Sequence, residues 1–152
     1  MEIMIMNMKK IAVLALTSLT LLSSQAFARD DINAYSVADA LNQGAAKSKL
    51  GTNISFYFGE QAYGEVEQDL GEYKTNKKTN AFNKSDEEAC QWVFLSAMIA
   101  LKERAVQAGG NAVVNIKSNY KHNLTSSNDT FQCGAGTFVA GVALTGQVVK
   151  LK

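Results

Sequence analysis

The stretch at 85–110, SDEEACQWVFLSAMIALKERAVQAGG, predicts a long amphipathic helix around which the rest of the fold is arranged. Ser85 and Glu88 have the spacing of a capping box, and the acids after Ser85 favour the positive end of the helix dipole. Gly109 and Gly110 end the pattern, as glycine commonly does after a helix. One face of this helix carries apolar residues at helical spacing, namely Cys90, Phe94, Ala97, Leu101, Ala105 and Ala108, widened by Trp92, Leu95 and Ile99. We expect this face to pack on a sheet.

Upstream of the long helix, the sequence predicts a short helix and two strands. Ser36 caps a helical pattern that continues to residue 48. Apolar and polar residues alternate over 53–60, NISFYFGE, as they do in a half-buried strand. The segment 59–72 is rich in glycine and acids and is predicted to be a loop or a loose hairpin connection. The polar segment 73–82, YKTNKKTNAF, is predicted to be an edge strand, because its lysines discourage pairing with other chains.

Downstream of the long helix, the pattern is that of strands. A β-like pattern runs over 111–121, turn-forming residues follow over 122–130, and the β-rich segment 131–151 contains four glycines that indicate bends or bulges. The order of these elements predicts an α+β fold. We expect a small, mostly antiparallel sheet with one long helix packed on a face and a short N-terminal helix.

The first 28 residues have the pattern of a signal peptide. Met8, Lys9 and Lys10 form a basic start, an apolar run of about 12 residues follows, and the segment ends in Ala-Phe-Ala. Translation from Met1 or from Met8 is compatible with this pattern. The run is shorter than the ~20 residues that span a bilayer, so we expect cleavage near Ala28 and Arg29 rather than stable membrane insertion. The sequence thus predicts a periplasmic protein with a signal peptide at 1–28 and a single α+β domain at 29–152.

Charge and motifs exclude several functions. The signal peptide holds two of the 15 basic and one of the 14 acidic residues, which leaves 13 of each in the remaining chain. A balanced charge is not typical of nucleic-acid binders, so no nucleic-acid partner is expected. The sequence lacks a P-loop motif, and its glycine-rich CGAGTFVAG at 133–141 does not match the dinucleotide fingerprint. We therefore expect no cofactor, and we expect the glycines to leave packing space under Trp92 or Phe94.

The two cysteines, Cys90 and Cys133, admit three interpretations. As a nucleophile, Cys90 would need a histidine base, and His122 is the one histidine of the chain, whereas the acids before Cys90 oppose thiolate formation. As metal ligands, two cysteines and one histidine fall short of the four that a structural zinc site uses, so no metal is expected. An exported chain with two cysteines favours the third interpretation, a Cys90–Cys133 disulfide.

The lysines of the predicted edge strand are the candidate binding residues. Lys74, Lys77 and Lys78 lie between two acidic segments and are suited to an acidic partner or to another strand. The alternative is a solvated edge whose lysines only prevent aggregation. His122 lies in the predicted turn, and a groove near Lys77, His122 and the last strand is the candidate site for a small ligand.

The segments 75–120 and 132–146, including ERAVQAGGNAVVNI and QCGAGTFVAGVALTG, resemble a family of small exported proteobacterial proteins often labelled excinuclease ATPase subunit. That label implies nucleotide hydrolysis, for which this chain lacks the P-loop. The Gly-Gly turn from helix into strand is more distantly similar to the YbjQ-like fold and to the RcsF envelope-stress lipoproteins. This resemblance implies the same fold and a disulfide that corresponds to Cys90 and Cys133. It carries no catalytic residue, and the lipidation cysteine and second cysteine pair of the lipoproteins are missing.

The sequence therefore predicts a non-enzymatic binding or envelope-associated module, with a periplasmic or envelope protein as its expected partner. Two other functions remain open. One is a small-ligand or metal-binding protein of the YbjQ type, and the other is a thiol redox enzyme that uses Cys90.

Overall fold

The computed structural model describes residues 29–152, so the predicted signal peptide lies outside the described residues. Seven strands and three helices form the fold of these described residues. The strands are β1 (Asp31–Ser36), β2 (Ser55–Phe58), β3 (Val66–Asn80), β4 (Ala112–Tyr120), β5 (Asn123–Thr125), β6 (Thr130–Ala135) and β7 (Val139–Leu151). The helices are α1 (Val37–Asn42), α2 (Gly44–Leu50) and α3 (Asp86–Ala108). The predicted α+β class is confirmed.

The sheet is organised around β7, the C-terminal strand. One edge of β7 pairs with β3 along its length, and its other edge is shared by β6 and then β4. β1 extends the sheet beyond β6, and both β2 and β5 lie beyond β4. Every pairing is antiparallel except that of β2 with β4, so the predicted mostly antiparallel sheet is confirmed.

Helix α3 covers one face of the sheet and begins and ends as its sequence predicts. The Ser85 hydroxyl accepts a hydrogen bond from the Glu88 N–H at 3.1 Å, and Gly109 ends the helix in the left-handed conformation with φ +78°. Phe94 stacks on Phe131 of β6 with ring centroids 4.0 Å apart, at the centre of the core. No helix within residues 29–152 is both long and apolar enough to cross a membrane.

The expectation that Trp92 widens the buried face of α3 is wrong, because its side chain is 52% exposed. The reason is helical geometry: a helix turns by about 100° per residue, so Trp92 lies about 200° around the axis from Cys90. Cys90 itself is fully buried.

The predicted disulfide is confirmed. Cys90 and Cys133 are bonded, with Cα atoms 5.9 Å apart and both residues fully buried. The bond joins the first turns of α3 to β6, in the same layer as the stacked Phe94 and Phe131. The helix and the sheet are therefore held together covalently at the point where their aromatic residues pack.

The N-terminal region differs from the prediction in two ways. A strand, β1, precedes the predicted helix. It is formed by pairing with β6, and its own residues are too polar to show the alternating pattern of a strand. The helix itself is two helices, because Gln43 adopts an extended conformation (φ −59°, ψ +138°) between α1 and α2. Its start is as predicted, since the Ser36 hydroxyl accepts from the Asp39 N–H at 3.1 Å.

Strand β3 begins at Val66, so the prediction of a loop over 59–72 is wrong for its second half. The segment escaped the strand pattern because its register with β7 is irregular and its side chains are exposed. Gly71, with φ +101°, lies in one of these irregularities. Within the described residues β3 pairs with β7 alone, so its predicted position at an edge is confirmed. The predicted turn after His122 likewise contains the short strand β5.

We predict that loss of the Cys90–Cys133 bond lowers the free energy of unfolding by up to about 4 kcal/mol, because a bond across 43 residues restricts the unfolded chain. Urea denaturation of the Cys90→Ala/Cys133→Ala variant measures this change. Reduced wild-type protein is the control, because it lacks the bond but keeps both sulfur atoms. It separates the effect of the cross-link on stability from the effect of lost side-chain volume. Equal urea midpoints for the oxidised and reduced wild-type protein would contradict the prediction.

Candidate functional site

The face of the sheet opposite α3, here called the outer face, carries the candidate site. Residues of β7 alternate between the two faces, with Val142 and Leu144 in the core under α3 and Gly141 and Ala143 on the outer face. Lys78 lies directly opposite Gly141 in the β3–β7 register and therefore shares its face. The last residues of β4 and the turn to β5 pass over this face.

Tyr120, the last residue of β4, lies across two glycines of the outer face. A Cβ atom at Gly134 would overlap the Tyr120 ring, and one at Gly141 would approach its Cε2 to 3.1 Å. Gly134 and Gly141 are themselves paired across β6 and β7. The expectation that these glycines leave space for Trp92 or Phe94 is therefore wrong, because the space is on the opposite side of the sheet and holds Tyr120.

The turn from β4 to β5 consists of Lys121 and His122, and both residues have positive φ, +50° and +64°. Two-residue hairpin turns of this kind favour Asn-Gly, since side chains with a Cβ are strained in the left-handed region. The Lys121 ammonium forms an ion pair with the Asp30 carboxylate, and the Tyr120 hydroxyl donates to the same carboxylate at 3.3 Å. Strained backbone conformations cost free energy, and they are common at binding sites, where the surrounding structure holds them in place.

Two adjoining depressions on the outer face share Lys121, and together we call them the outer groove. The larger has a volume of about 690 Å³ and the smaller about 300 Å³. The larger is lined mainly by Arg29, Lys78, Tyr120, Lys121, Phe138 and Val139. The smaller is lined mainly by Lys74, Asn76, Asn119, Lys121 and His122.

The outer groove is positively charged. Arg29, Lys74, Lys78 and Lys121 line it, and Asp30 is the single acid among its lining residues. A hydrogen bond from Lys121 lowers the pKa of the Asp30 carboxyl and raises the pKa of the Lys121 ammonium, so both remain charged at neutral pH. Burial raises the pKa of the Tyr120 phenol, and Asp30 raises it further. Tyr120 thus stays a hydroxyl donor over the physiological range.

The structure brings three of the four predicted binding residues to the outer groove. Lys74 and His122 line its smaller depression and Lys78 its larger one. Lys77 lies elsewhere: it lines a separate groove between β3 and α3. Sequence reasoning missed Tyr120 and Lys121, although the non-glycine turn SNYKHN between two alternating segments was a usable signal.

The alternative chemistries find little support in the described residues. Both cysteines of the chain are in the buried disulfide, so neither offers a free thiol for a Cys90–His122 pair or for metal binding. Within residues 29–152, no three His, Cys, Asp or Glu side chains are placed together in a way that could hold a metal ion.

We predict that Gly134→Ala lowers the free energy of unfolding by about 1–3 kcal/mol, because the new methyl group overlaps the Tyr120 ring. Thermal or urea unfolding measures the change. Gly64→Ala is the matched control, since a Cβ at Gly64 has no neighbour within 4 Å. In a double-mutant cycle, Tyr120→Ala should remove most of the cost of Gly134→Ala, and strictly additive effects would contradict the proposed contact.

We predict that His122→Gly raises the free energy of unfolding by about 1 kcal/mol, because glycine adopts the positive φ of this turn without strain. Urea midpoints of the variant and the wild type test this. A lower midpoint for His122→Gly would show that the imidazole makes stabilising interactions that outweigh the strain.

Comparisons of the chain with protein-family models, with curated proteins and with solved structures find no match. The family resemblance noted from the sequence therefore stays a prediction.

Proposed function

We propose that the protein is an exported, non-enzymatic binding module whose outer groove holds an anionic ligand with an apolar body. The observation that carries this proposal is the convergence of cationic side chains from three separate parts of the chain on a groove with apolar walls. Arg29 comes from the N-terminal segment, Lys78 from β3 and Lys121 from the β4–β5 turn.

The apolar part of the ligand is indicated by the walls of the larger depression. Phe138 is 64% exposed and stacks on Phe82 with ring centroids 5.6 Å apart, and Val139 is also exposed. The floor of this depression includes Gly136, over which the Arg29 carbonyl lies, and Gly141, over which the Tyr120 ring lies. Exposed apolar groups that adjoin one another commonly mark a binding surface, because covering them removes apolar area from water.

The anionic part of the ligand is indicated by the charges of the groove. Lys78 forms no ion pair among the described residues, whereas Lys121 is paired with Asp30 and Arg29 with Asp86. The ammonium of Lys78 is therefore the cation most available to a carboxylate or a phosphate. The Asp30 carboxylate and the strained turn hold the Lys121 side chain in place. Lys121 is therefore suited to fixing the position of the bound anion.

Export and the non-enzymatic character are supported by the sequence. The signal-peptide pattern predicts an oxidising compartment, with which the observed disulfide agrees. No histidine, cysteine or carboxylate pair in the outer groove has the arrangement of a nucleophile and its base. Binding, without a chemical step, is the function that these residues support best.

We predict that dodecanoate binds the chain that begins at Arg29 and that inorganic phosphate and dodecanol bind it more weakly. Isothermal titration calorimetry below the micelle concentration measures the affinities. Lys78→Ala should weaken dodecanoate binding about tenfold or more, because a hydrogen bond to a charged group contributes about 1.5–3 kcal/mol. Phe138→Ala should weaken it as well.

Lys47→Ala is the matched control, since it removes a lysine of α2 that lies outside the outer groove. Two outcomes would contradict the proposal. One is no dodecanoate binding at its solubility limit, and the other is an equal loss of affinity in Lys78→Ala and Lys47→Ala.

A further inference from the structure

Strand β3 has a long free edge. Within residues 29–152 it is hydrogen-bonded on one side only, to β7, and its register is unbroken from Glu72 to Asn80. An edge of nine regular residues is long enough to accept another strand, and proteins usually shorten or cover such edges.

The hydrogen-bonding groups that face this free edge follow from the register. The Ala81 N–H donates to the Phe138 carbonyl at 2.9 Å, which makes these two residues a hydrogen-bonded pair. Such pairs alternate along an antiparallel ladder, so Thr79, Lys77 and Thr75 also bond to β7. The residues between them direct their N–H and C=O groups away from the sheet, and these are Lys74, Asn76, Lys78 and Asn80.

A groove of about 460 Å³ lies beside this edge, between β3 and α3. Thr75 and Lys77 line it from the strand, and Ala100 and Arg104 line it from the helix. The Thr75 hydroxyl is buried, and no residue of the described part of the chain gives it a hydrogen-bond partner. A strand added to β3 would place alternate side chains in this groove, where a polar one could pair with that hydroxyl.

Charge determines which strand fits. Lys74 and Lys78 flank the edge on the outer face, while Lys77 and Arg104 flank it on the side of α3. Glu72 and Glu103 are the nearby acids, which leaves an excess of positive charge along the edge. Acidic side chains on an added strand would lie opposite these cations, and cross-strand pairs of opposite charge stabilise a sheet.

We propose that the β3 edge from Lys74 to Lys78 binds an extended, acidic segment of a partner protein as an additional strand of the sheet. The site uses backbone groups at the edge and the groove beside α3, and it shares the Lys74 and Lys78 side chains with the outer groove. A second copy of the chain fits less well. Antiparallel self-pairing centred on Asn76 would bring Lys74 opposite the Lys78 of the second copy, and like charges that face each other destabilise a sheet.

The test uses an eight-residue peptide of alternating Glu and Val with blocked ends and a fluorophore. Fluorescence anisotropy measures its binding to the chain that begins at Arg29. Two further peptides carry backbone N-methyl groups either on every Glu or on every Val. Strand addition uses the N–H groups of alternate residues only, so one methylated peptide should lose binding and the other should keep it within about twofold. Equal binding of the two methylated peptides would overturn the proposal.

Variants of the protein separate strand addition from general charge attraction. Lys74→Glu should weaken binding of the unmethylated peptide more than tenfold. Lys47→Glu makes the same change of charge on α2 and should leave binding within about twofold. Equal losses in the two variants would overturn the proposal. So would concentration-dependent dimerisation in sedimentation velocity that Lys74→Glu strengthens, because the new carboxylate would lie opposite the Lys78 of a second copy and would assign the edge to self-pairing.

Discussion

The contact between α3 and β6 is the constraint on which the rest of the structure depends. Cys90 and Phe94 lie one turn apart on the helix, and Phe131 and Cys133 lie two residues apart on the strand, so each pair presents two side chains to the other element. The disulfide and the stacked rings therefore fix both the position and the direction of α3. With one face of the sheet covered by α3 in this way, the outer face and the free edge of β3 carry the two proposed sites.

A single strand serves both faces because its side chains alternate. On β6, Phe131, Cys133 and Ala135 are buried under α3, while Gly134 between them faces outward. The missing side chain at Gly134 admits the Tyr120 ring, and Tyr120 in turn supports the turn that carries Lys121. The six residues of β6 thus contribute both to the packing of the core and to the shape of the outer groove.

The sequence predicts those features that depend on local pattern. Helix α3 is predicted with its cap and its end, because capping residues and apolar spacing are both local. The disulfide is predicted from the number of cysteines and from the oxidising compartment that the signal-peptide pattern predicts. The first half of β3 is not predicted from the sequence. It is a strand because it pairs with β7, a long-range contact, and its exposed residues do not alternate between apolar and polar. The outer groove is also beyond local pattern: Arg29, Lys78 and Lys121 are distant in sequence and meet only in the folded chain. The sequence predicts that lysines of β3 bind a partner, but which of them share a surface depends on strand register.

The disulfide also makes a covalent ring of the chain between Cys90 and Cys133. The ring contains α3, β4, β5 and the turn at Lys121 and His122, whereas β3 and the N-terminal segment with Arg29 and Asp30 lie outside it. A peptide bond cut at the exposed Lys121 would leave two pieces that remain joined through sulfur. A cut in this exposed turn would therefore leave β6 and β7 covalently joined to α3.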